Sequence, residues 1–180
     1  MKDRLLEQAK HAYSPRQRFW ALLVMAPVFL LLLPWALIAL GTKLDQWLNW
    51  PPLLLLPVNL GLGVLLIASG WGLGLWANYA QFTIGRGTPV PLMATQKLIV
   101  QPPYTYCRNP MALGAIVAYL GVAVLFGSLG AGLLVVLGAV SLLAYIKLVE
   151  EKEMELRFGQ DYLEYRRRTS FLIPRFWIRQ

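Results

Sequence analysis

Cysteine and histidine occur only once each in the 180 residues, as Cys107 and His11. A single cysteine excludes an intramolecular disulfide bond, so the fold cannot depend on one. A single histidine excludes metal sites that need several imidazole ligands, and we predict that the protein holds no metal. His11 also lies outside the apolar part of the chain, which leaves no histidine there to act as a catalytic base.

Charged residues are scarce as well, at 14% of the chain, whereas 57% of the residues are hydrophobic. A soluble domain of this size could not bury so much apolar surface, which predicts an integral membrane protein. The formal net charge is +8, and the positive residues flank the apolar segments. We therefore expect anionic membrane lipids, and not nucleic acid, to be the partner of these charges.

The apolar runs predict an all-α integral membrane protein that forms a single domain with four transmembrane helices. About twenty apolar residues are needed to cross the hydrocarbon core, and the predicted spans cover residues 19–40, 53–80, 110–126 and 131–149. A long polar connection, residues 82–109, precedes the third span. The tail, residues 150–180, begins with a predicted amphipathic helix, and a short interfacial helix is predicted before Pro15.

Lysine and arginine residues are unevenly distributed among the segments that join the predicted spans. The N-terminal segment carries five, the first loop one, the connection three, the turn between the third and fourth spans none, and the chain from Lys147 onward eight. Positive residues accumulate on the cytoplasmic side of a membrane. Both termini, the connection and the tail are therefore predicted to be cytoplasmic, in an inner or cytoplasmic membrane.

The third and fourth predicted spans are separated by a turn of four residues, Gly127-Ser128-Leu129-Gly130. A connection this short predicts an antiparallel helical hairpin. The start of the third span and the end of the fourth span then meet at one membrane face. We therefore expect Arg108 and Asn109 to lie near Glu150 and Glu151.

The third predicted span begins with the pattern of a capped helix. Asn109 suits the N-cap position, because its side-chain oxygen can accept a bond from an amide of the first turn. Pro110 suits the first helical position, where no N–H is needed. With Arg108 beside it, this helix N-terminus is a candidate site for an anion, which is either a lipid phosphate or part of a ligand. In the second span, Gly70 and Gly74 predict close packing against another helix.

Two motifs lie on either side of the predicted hairpin. The first comprises Leu98-Ile99-Val100, Tyr104, Arg108-Asn109-Pro110-Met111 and Gly114. The second comprises Glu150-Glu151, Met154, Phe158-Gly159, Tyr162, Tyr165 and Ile173-Pro174, and Gly87-Thr88-Pro89 precedes both. In these motifs, roughly residues 85–175, the chain resembles the membrane methyltransferases. That group includes the isoprenylcysteine carboxyl methyltransferases and the phospholipid N-methyltransferases.

The resemblance implies S-adenosylmethionine as the methyl donor, bound by the connection, the ends of the hairpin and the tail. Carried over by position, the contacts of the methyl donor are Gln96, Lys97, Leu98 and Ile99, largely through their backbone, with Tyr104, Asn109, Pro110, Met111 and Ala112. Arg108, Glu150 and Glu151 are the implied catalytic residues. Adjacent side chains on an α-helix project about 100° apart, so at most one of the two glutamates is expected to face the pocket directly.

The chain departs from the isoprenylcysteine enzymes at positions that concern the acceptor more than the methyl donor. Asn109 stands where those enzymes usually have His, Ala112 where they have Tyr, and Pro102-Pro103 where they have Gly. A carboxylate acceptor is already ionised and needs no base. An amine acceptor must lose a proton, for which Glu150 or Glu151 is the available carboxylate.

We therefore predict an S-adenosylmethionine-dependent methyltransferase that acts on a lipidic or prenylated small molecule, in the manner of an isoprenylcysteine carboxyl O-methyltransferase. The alternative within this class is a phospholipid amine N-methyltransferase. Outside the class, an NADPH-dependent membrane reductase and a non-catalytic membrane scaffold stay open, and so does the oligomeric state.

Overall fold

The computed structural model describes residues 14–53, 56–85 and 95–175, whose regular secondary structure is helical without any strand. Within these ranges seven α-helices follow one another: α1 Pro15–Pro27, α2 Leu33–Leu48, α3 Val58–Thr83, α4 Pro110–Leu125, α5 Leu129–Tyr145, α6 Glu151–Phe158 and α7 Gln160–Arg168. Two five-residue π-helical segments, Val28–Leu32 and Ile146–Glu150, join α1 to α2 and α5 to α6. The predicted helix before Pro15 and the Gly87-Thr88-Pro89 feature lie outside the described residues.

In the part of the chain that the structure describes, three continuous helices are long and apolar enough to cross a membrane: Pro15–Leu48, Val58–Thr83 and Leu129–Phe158. These helices confirm the predicted all-helical class and support an integral membrane protein. Helix α4 is apolar but has only 16 residues, so a fourth span stays a prediction.

Helix boundaries differ from the prediction in several places. Helix α1 begins at Pro15, before the predicted start of the first span at residue 19, and α3 begins at Val58, after the predicted start of the second span at residue 53. Helix α2 continues past the predicted end of the first span to Leu48, where Asn49 adopts a left-handed conformation with φ of 51°. Asn tolerates this conformation better than most residues, and it ends the helix as a glycine would. The predicted tail helix is interrupted at Gly159, whose φ of 56° separates α6 from α7.

The chain divides into two compact units. The first unit comprises residues 1–25, 75–111 and 144–180, and the second comprises residues 26–74 and 112–143.

In the second unit, α3 and α4 pack through a seam of small residues, which we call the glycine seam: Gly63, Gly70, Gly114 and Gly121. A Cβ atom added to Gly70 would lie 2.6 Å from the carbonyl oxygen of Gly114. One added to Gly121 would lie 2.7 Å from the backbone nitrogen of Ile67. Only residues without side chains allow the two backbones to approach this closely. The predicted packing role of Gly70 is confirmed.

The second unit also contains a polar link at the start of α5. The Ser128 hydroxyl donates to Oδ2 of Asp45 at 2.5 Å, and the Gly130 N–H donates to Oδ1 at 2.6 Å. The Ser128 oxygen in turn accepts a bond from the Ala131 N–H at 2.9 Å. These contacts satisfy amides at the N-terminus of α5, where a negative charge is favourable.

The first unit contains a small apolar core built from the last turns of α3 and the segment that precedes α4. Ala77, Ala80, Ile99 and Tyr104 are buried together, with Ile84 and Met111 packed against them. At the end of α3, the buried Arg18 donates through Nη1 to the carbonyl oxygen of Phe82 at 2.8 Å. A cation at a helix C-terminus satisfies a free carbonyl and opposes the negative end of the helix dipole.

Candidate functional site

The segment that precedes α4 is tied back to the end of α3. The N–H groups of Gln96 and Lys97 donate to the carbonyl oxygen of Gly85, at 2.7 and 3.3 Å. A Cβ atom on Gly85 would lie 2.8 Å from Cδ1 of Ile99, the movable end of that side chain, and 3.0 Å from the backbone oxygen of Gln81, so the segment packs closely against this turn. Residues 96–99, which carry the predicted contacts of the methyl donor, are held beside α3 by these bonds.

Residues 165–175, here called the C-terminal segment, run along residues 104–109. The Tyr165 hydroxyl donates to the carbonyl oxygen of Tyr104 at 2.8 Å, and the Arg108 N–H donates to that of Ser170 at 2.8 Å. The Asn109 side-chain amide donates to the carbonyl oxygen of Phe171 at 2.9 Å. These bonds close the site from one side with backbone and aromatic groups that are distant in sequence.

Arg108 joins the two predicted motifs directly. Its Nε and Nη2 atoms donate to Oε1 of Glu151 at 3.0 and 2.6 Å, and each of the two side chains is only 10% exposed. Its Nη1 atom donates to the carbonyl oxygens of Arg166 at 3.0 Å and Thr169 at 2.5 Å. The expected proximity of Arg108 to the glutamate pair is confirmed. The guanidinium is occupied by acceptors of the protein itself, so it is not a free anion site.

A cavity opens between these elements, with about 580 Å³ of empty space including its mouth. Seven of the residues predicted from the sequence line it: Leu98, Ile99, Tyr104, Arg108, Asn109, Glu150 and Glu151. The other predicted residues do not: Gln96, Lys97, Pro110, Met111 and Ala112. Of these, Met111 packs against the core, and Pro110 is fully buried at the start of α4.

Sequence reasoning did not assign five further residues of the cavity wall to the site: Thr95, Ile146, Met154, Tyr162 and Tyr165. Met154, Tyr162 and Tyr165 belong to the second motif, so the motif could have indicated that they line the cavity. The local sequence gives no such indication for the other two: Thr95 resembles an ordinary loop residue, and Ile146 resembles an ordinary residue of an apolar helix. Asn78 and Gln81, polar residues near the end of an apolar span, are both predicted to be able to face a cavity, and of the two only Gln81 lines this one.

Both glutamates line the cavity, contrary to the expectation that at most one would. Glu150 is the last residue of the π-helical segment, and Glu151 is the first residue of α6. A π turn contains more residues than an α turn, so neighbouring side chains diverge by a smaller angle than on a regular α-helix. Glu151 is paired with Arg108, whereas Glu150 has no ion pair or hydrogen bond with any described residue.

Three tyrosines of the cavity wall keep their protons at neutral pH. Burial raises the pKa of Tyr162 to about 12, and the neighbouring Glu151 carboxylate adds to the rise. Burial also raises the pKa of Tyr104 and of Tyr165. These side chains are therefore neutral hydroxyl groups on aromatic rings, suited to stacking and hydrogen bonding and not to acting as anions.

Arg157 on α6 fastens the start of the segment 95–109. Its Nη2 atom donates to the carbonyl oxygen of Thr95, and its Nη1 atom lies 3.3 Å from Oε1 of Glu153. The Arg157 side chain is only 8% exposed. Because Thr95 directly precedes the predicted contacts of the methyl donor, this link sets their position relative to α6.

Comparison with known proteins supports the resemblance. The family model for phospholipid methyltransferase matches residues 58–161, more than half of the chain, and includes both Arg108-Asn109-Pro110-Met111 and Glu150-Glu151. No curated protein and no solved structure matches the chain. The family consists of methyltransferases, which supports an enzymatic role, and it implies lipid substrates. This chain belongs to the phospholipid methyltransferase family of membrane proteins.

Proposed function

We propose that the protein is a single-domain membrane enzyme that transfers a methyl group from S-adenosylmethionine to a lipidic amine. The observation that carries the proposal is the charge of the cavity in the first unit. Glu150 is a carboxylate there without an ion pair to any residue that the structure describes, whereas the charges of Arg108 and Glu151 compensate each other.

The lining of the cavity suits S-adenosylmethionine in its chemistry. The faces of Tyr104, Tyr162 and Tyr165 can lie against a sulfonium or an adenine ring. A carboxylate can accept hydrogen bonds from ribose hydroxyls. When bound, this cofactor would supply an electrophilic methyl group.

The remaining predicted residues have supporting roles in this proposal. Leu98, Ile99, Tyr104 and Asn109 contact the methyl donor, and Gln96 and Lys97 hold the backbone beside it. Pro110, Met111 and Ala112 set the start of α4, and so the orientation of Asn109. Arg108 acts through Glu151, which makes it a positioning residue.

The excess negative charge favours an amine acceptor over a carboxylate acceptor. A carboxylate acceptor would be repelled by the negative charge of Glu150. No described residue of the cavity wall offers an uncompensated cation that could offset this repulsion. An amine has the opposite preference, and its proton can pass to the Glu150 carboxylate. We therefore favour a phospholipid amine over a prenylcysteine carboxylate.

We further propose that α4 is the fourth span, paired with α5 as a hairpin, and that both termini are cytoplasmic. Only residues 126–128 separate the two helices, and short connections are typical of antiparallel neighbours. The soluble methyl donor would then enter from the cytoplasm, and the lipid acceptor would enter from the bilayer.

The test uses the purified protein in detergent. Saturable binding of S-adenosylmethionine is expected, and transfer of a labelled methyl group into phosphatidylethanolamine should exceed transfer into prenylcysteine analogues. Glu150→Gln should lower the transfer rate by about 10²–10⁴-fold, as is typical for removal of a general base. Glu155→Gln is the matched control, because Glu155 lies on α6 outside the cavity.

Preferred incorporation into the prenylcysteine analogue would overturn the choice of acceptor and leave methyl transfer intact. Binding of NADPH in place of S-adenosylmethionine would indicate a reductase. An absence of both ligand binding and methyl transfer would leave a membrane scaffold.

A further inference from the structure

Two buried hydrogen-bonding atoms of the cavity wall, Oε1 of Gln81 and the hydroxyl of Tyr104, make no well-aligned hydrogen bond with a described residue. The two side chains lie within reach of each other, so each can interact with the other as well as with a ligand. Tyr104 as a whole is only 8% exposed. A buried polar atom without a hydrogen bond is costly, so native proteins usually satisfy such atoms with water or a ligand. Here both unsatisfied atoms belong to residues that line the same cavity.

The chemistry of these atoms limits what can satisfy them. The Gln81 carbonyl oxygen can only accept a hydrogen bond, and so can the ionised Glu150 carboxylate. The Tyr104 hydroxyl can also accept one. The Gln81 side chain lies within hydrogen-bonding reach of the Tyr104 hydroxyl, and the nearby Glu150 carboxylate adds to the rise in the pKa of Tyr104. The three groups together complement a ligand that carries several N–H donors at one atom.

We propose that Gln81 and Tyr104 bind the two N–H groups of the amine acceptor and thereby determine how many methyl groups it receives. This inference rests on the proposed function. A neutral primary amine directs its lone pair at the incoming methyl group and has two N–H groups left for the two acceptor atoms. Each methylation replaces one N–H by a methyl group, which cannot donate. The acceptor is therefore held less well at each successive step.

The balance of one step is simple. The nitrogen lone pair forms the new N–C bond, and the S–C bond breaks with its electron pair left on sulfur, which becomes a neutral thioether. Before the attack, the ammonium form of the acceptor passes one proton to Glu150, which frees the nitrogen lone pair and leaves the remaining N–H groups on the nitrogen. Gln81 and Tyr104 take no proton, so they are specificity-determining residues and not acid–base groups.

The experiment compares three acceptors in detergent micelles at saturating S-adenosylmethionine: phosphatidylethanolamine, its N-monomethyl derivative and its N,N-dimethyl derivative. For the wild type, kcat/KM should fall roughly tenfold at each step, as expected for one buried acceptor left unpaired. Gln81→Leu should slow the first methylation by about tenfold and the second by much less, because the methyl group of the monomethyl acceptor then faces an apolar side chain. The ratio of the first two rates should therefore approach one.

Tyr104→Phe should change the same ratio in the same direction. This variant removes only the hydroxyl and keeps the backbone carbonyl that accepts the bond from Tyr165. If Gln81→Leu does not fold, the ratio measured with Tyr104→Phe decides the question.

Asn78→Leu is the matched control. Asn78 lies one turn earlier on α3 and also has a buried, unpartnered side-chain oxygen, but it does not line the cavity. Its substitution should leave the ratio unchanged. Wild-type ratios in both cavity variants, with methyl transfer intact, would overturn the inference and leave the proposed function standing. Absence of methyl transfer in the wild type would instead count against the proposed function.

Discussion

The glycine seam of the second unit and the cavity of the first unit are stabilised by different kinds of contact. In the seam, backbones meet without side chains between them, as at Gly70 and Gly114. Around the cavity, long side chains reach across to backbone carbonyls, as Arg108 does to Thr169 and Arg157 to Thr95. The seam depends on glycines, which have no side chain, whereas the cavity wall depends on charged side chains that are paired.

This difference has a consequence for function. Close backbone packing is uniform along a helix pair and leaves no space for a ligand. Long side chains that bond to irregular segments through their terminal groups can leave a cavity between those segments. The same side chains line that cavity with polar atoms. The cavity accordingly lies in the unit where such side-chain bonds hold irregular segments.

The largest effect should come from breaking the ion pair of the first unit. Removal of one partner of a buried pair leaves an uncompensated charge, which costs about 3–5 kcal/mol. Arg108→Ala should therefore lower the unfolding temperature in detergent markedly and abolish S-adenosylmethionine binding. Arg168→Ala is the control, since the pair of Arg168 with Glu164 is exposed and such pairs contribute only about 0–1 kcal/mol. Equal effects of the two variants would refute the role given to Arg108.

An intermediate effect is expected from filling the glycine seam. Gly70→Leu places a side chain where the backbone of α4 already lies, and overpacking costs about 1–3 kcal/mol or more. Gly72→Leu is the matched control, because a Cβ atom there meets nothing within 4 Å. Thermal unfolding in detergent measures both. An unchanged unfolding temperature for Gly70→Leu would mean that the seam does not stabilise the protein.

The smallest effect on stability, but a specific one on binding, is expected from Arg157. Its loss removes a charged hydrogen bond worth about 1.5–3 kcal/mol and frees Thr95, so Arg157→Ala should raise the Kd for S-adenosylmethionine about tenfold or more. Arg157→Lys keeps a cation of similar reach and should recover part of the affinity. A titration that gives the wild-type Kd for Arg157→Ala would show that this link does not position the binding segment.

Much of the helical framework could be predicted because it follows from local properties. Runs of apolar residues marked the three long helices, and Asn109-Pro110 marked the start of α4 at the correct residue. The extension of α2 to Leu48 was missed because Lys43 and Asp45 made this stretch look like a loop. In the structure, Ser128 and Gly130 satisfy the Asp45 carboxylate, so the charge is compatible with a helix there.

Other features depend on partners that the local sequence does not reveal. The carbonyl of Tyr104 receives its bond from Tyr165, and that of Thr95 receives one from Arg157, each from about sixty residues away. The π-helical segment that lets Glu150 and Glu151 share the cavity also had no recognisable local signal.

The sequence by itself determined that this chain is helical, apolar enough for a membrane and a member of a methyltransferase family. Apolar run length, helix capping and motif spacing are properties of neighbouring residues, so they can be read along the chain. The tertiary structure alone decided that Arg108 is paired, that Glu150 has no ion pair among the described residues, and that Thr95 and Ile146 belong to the cavity wall. Charge compensation and burial depend on which distant groups meet in space.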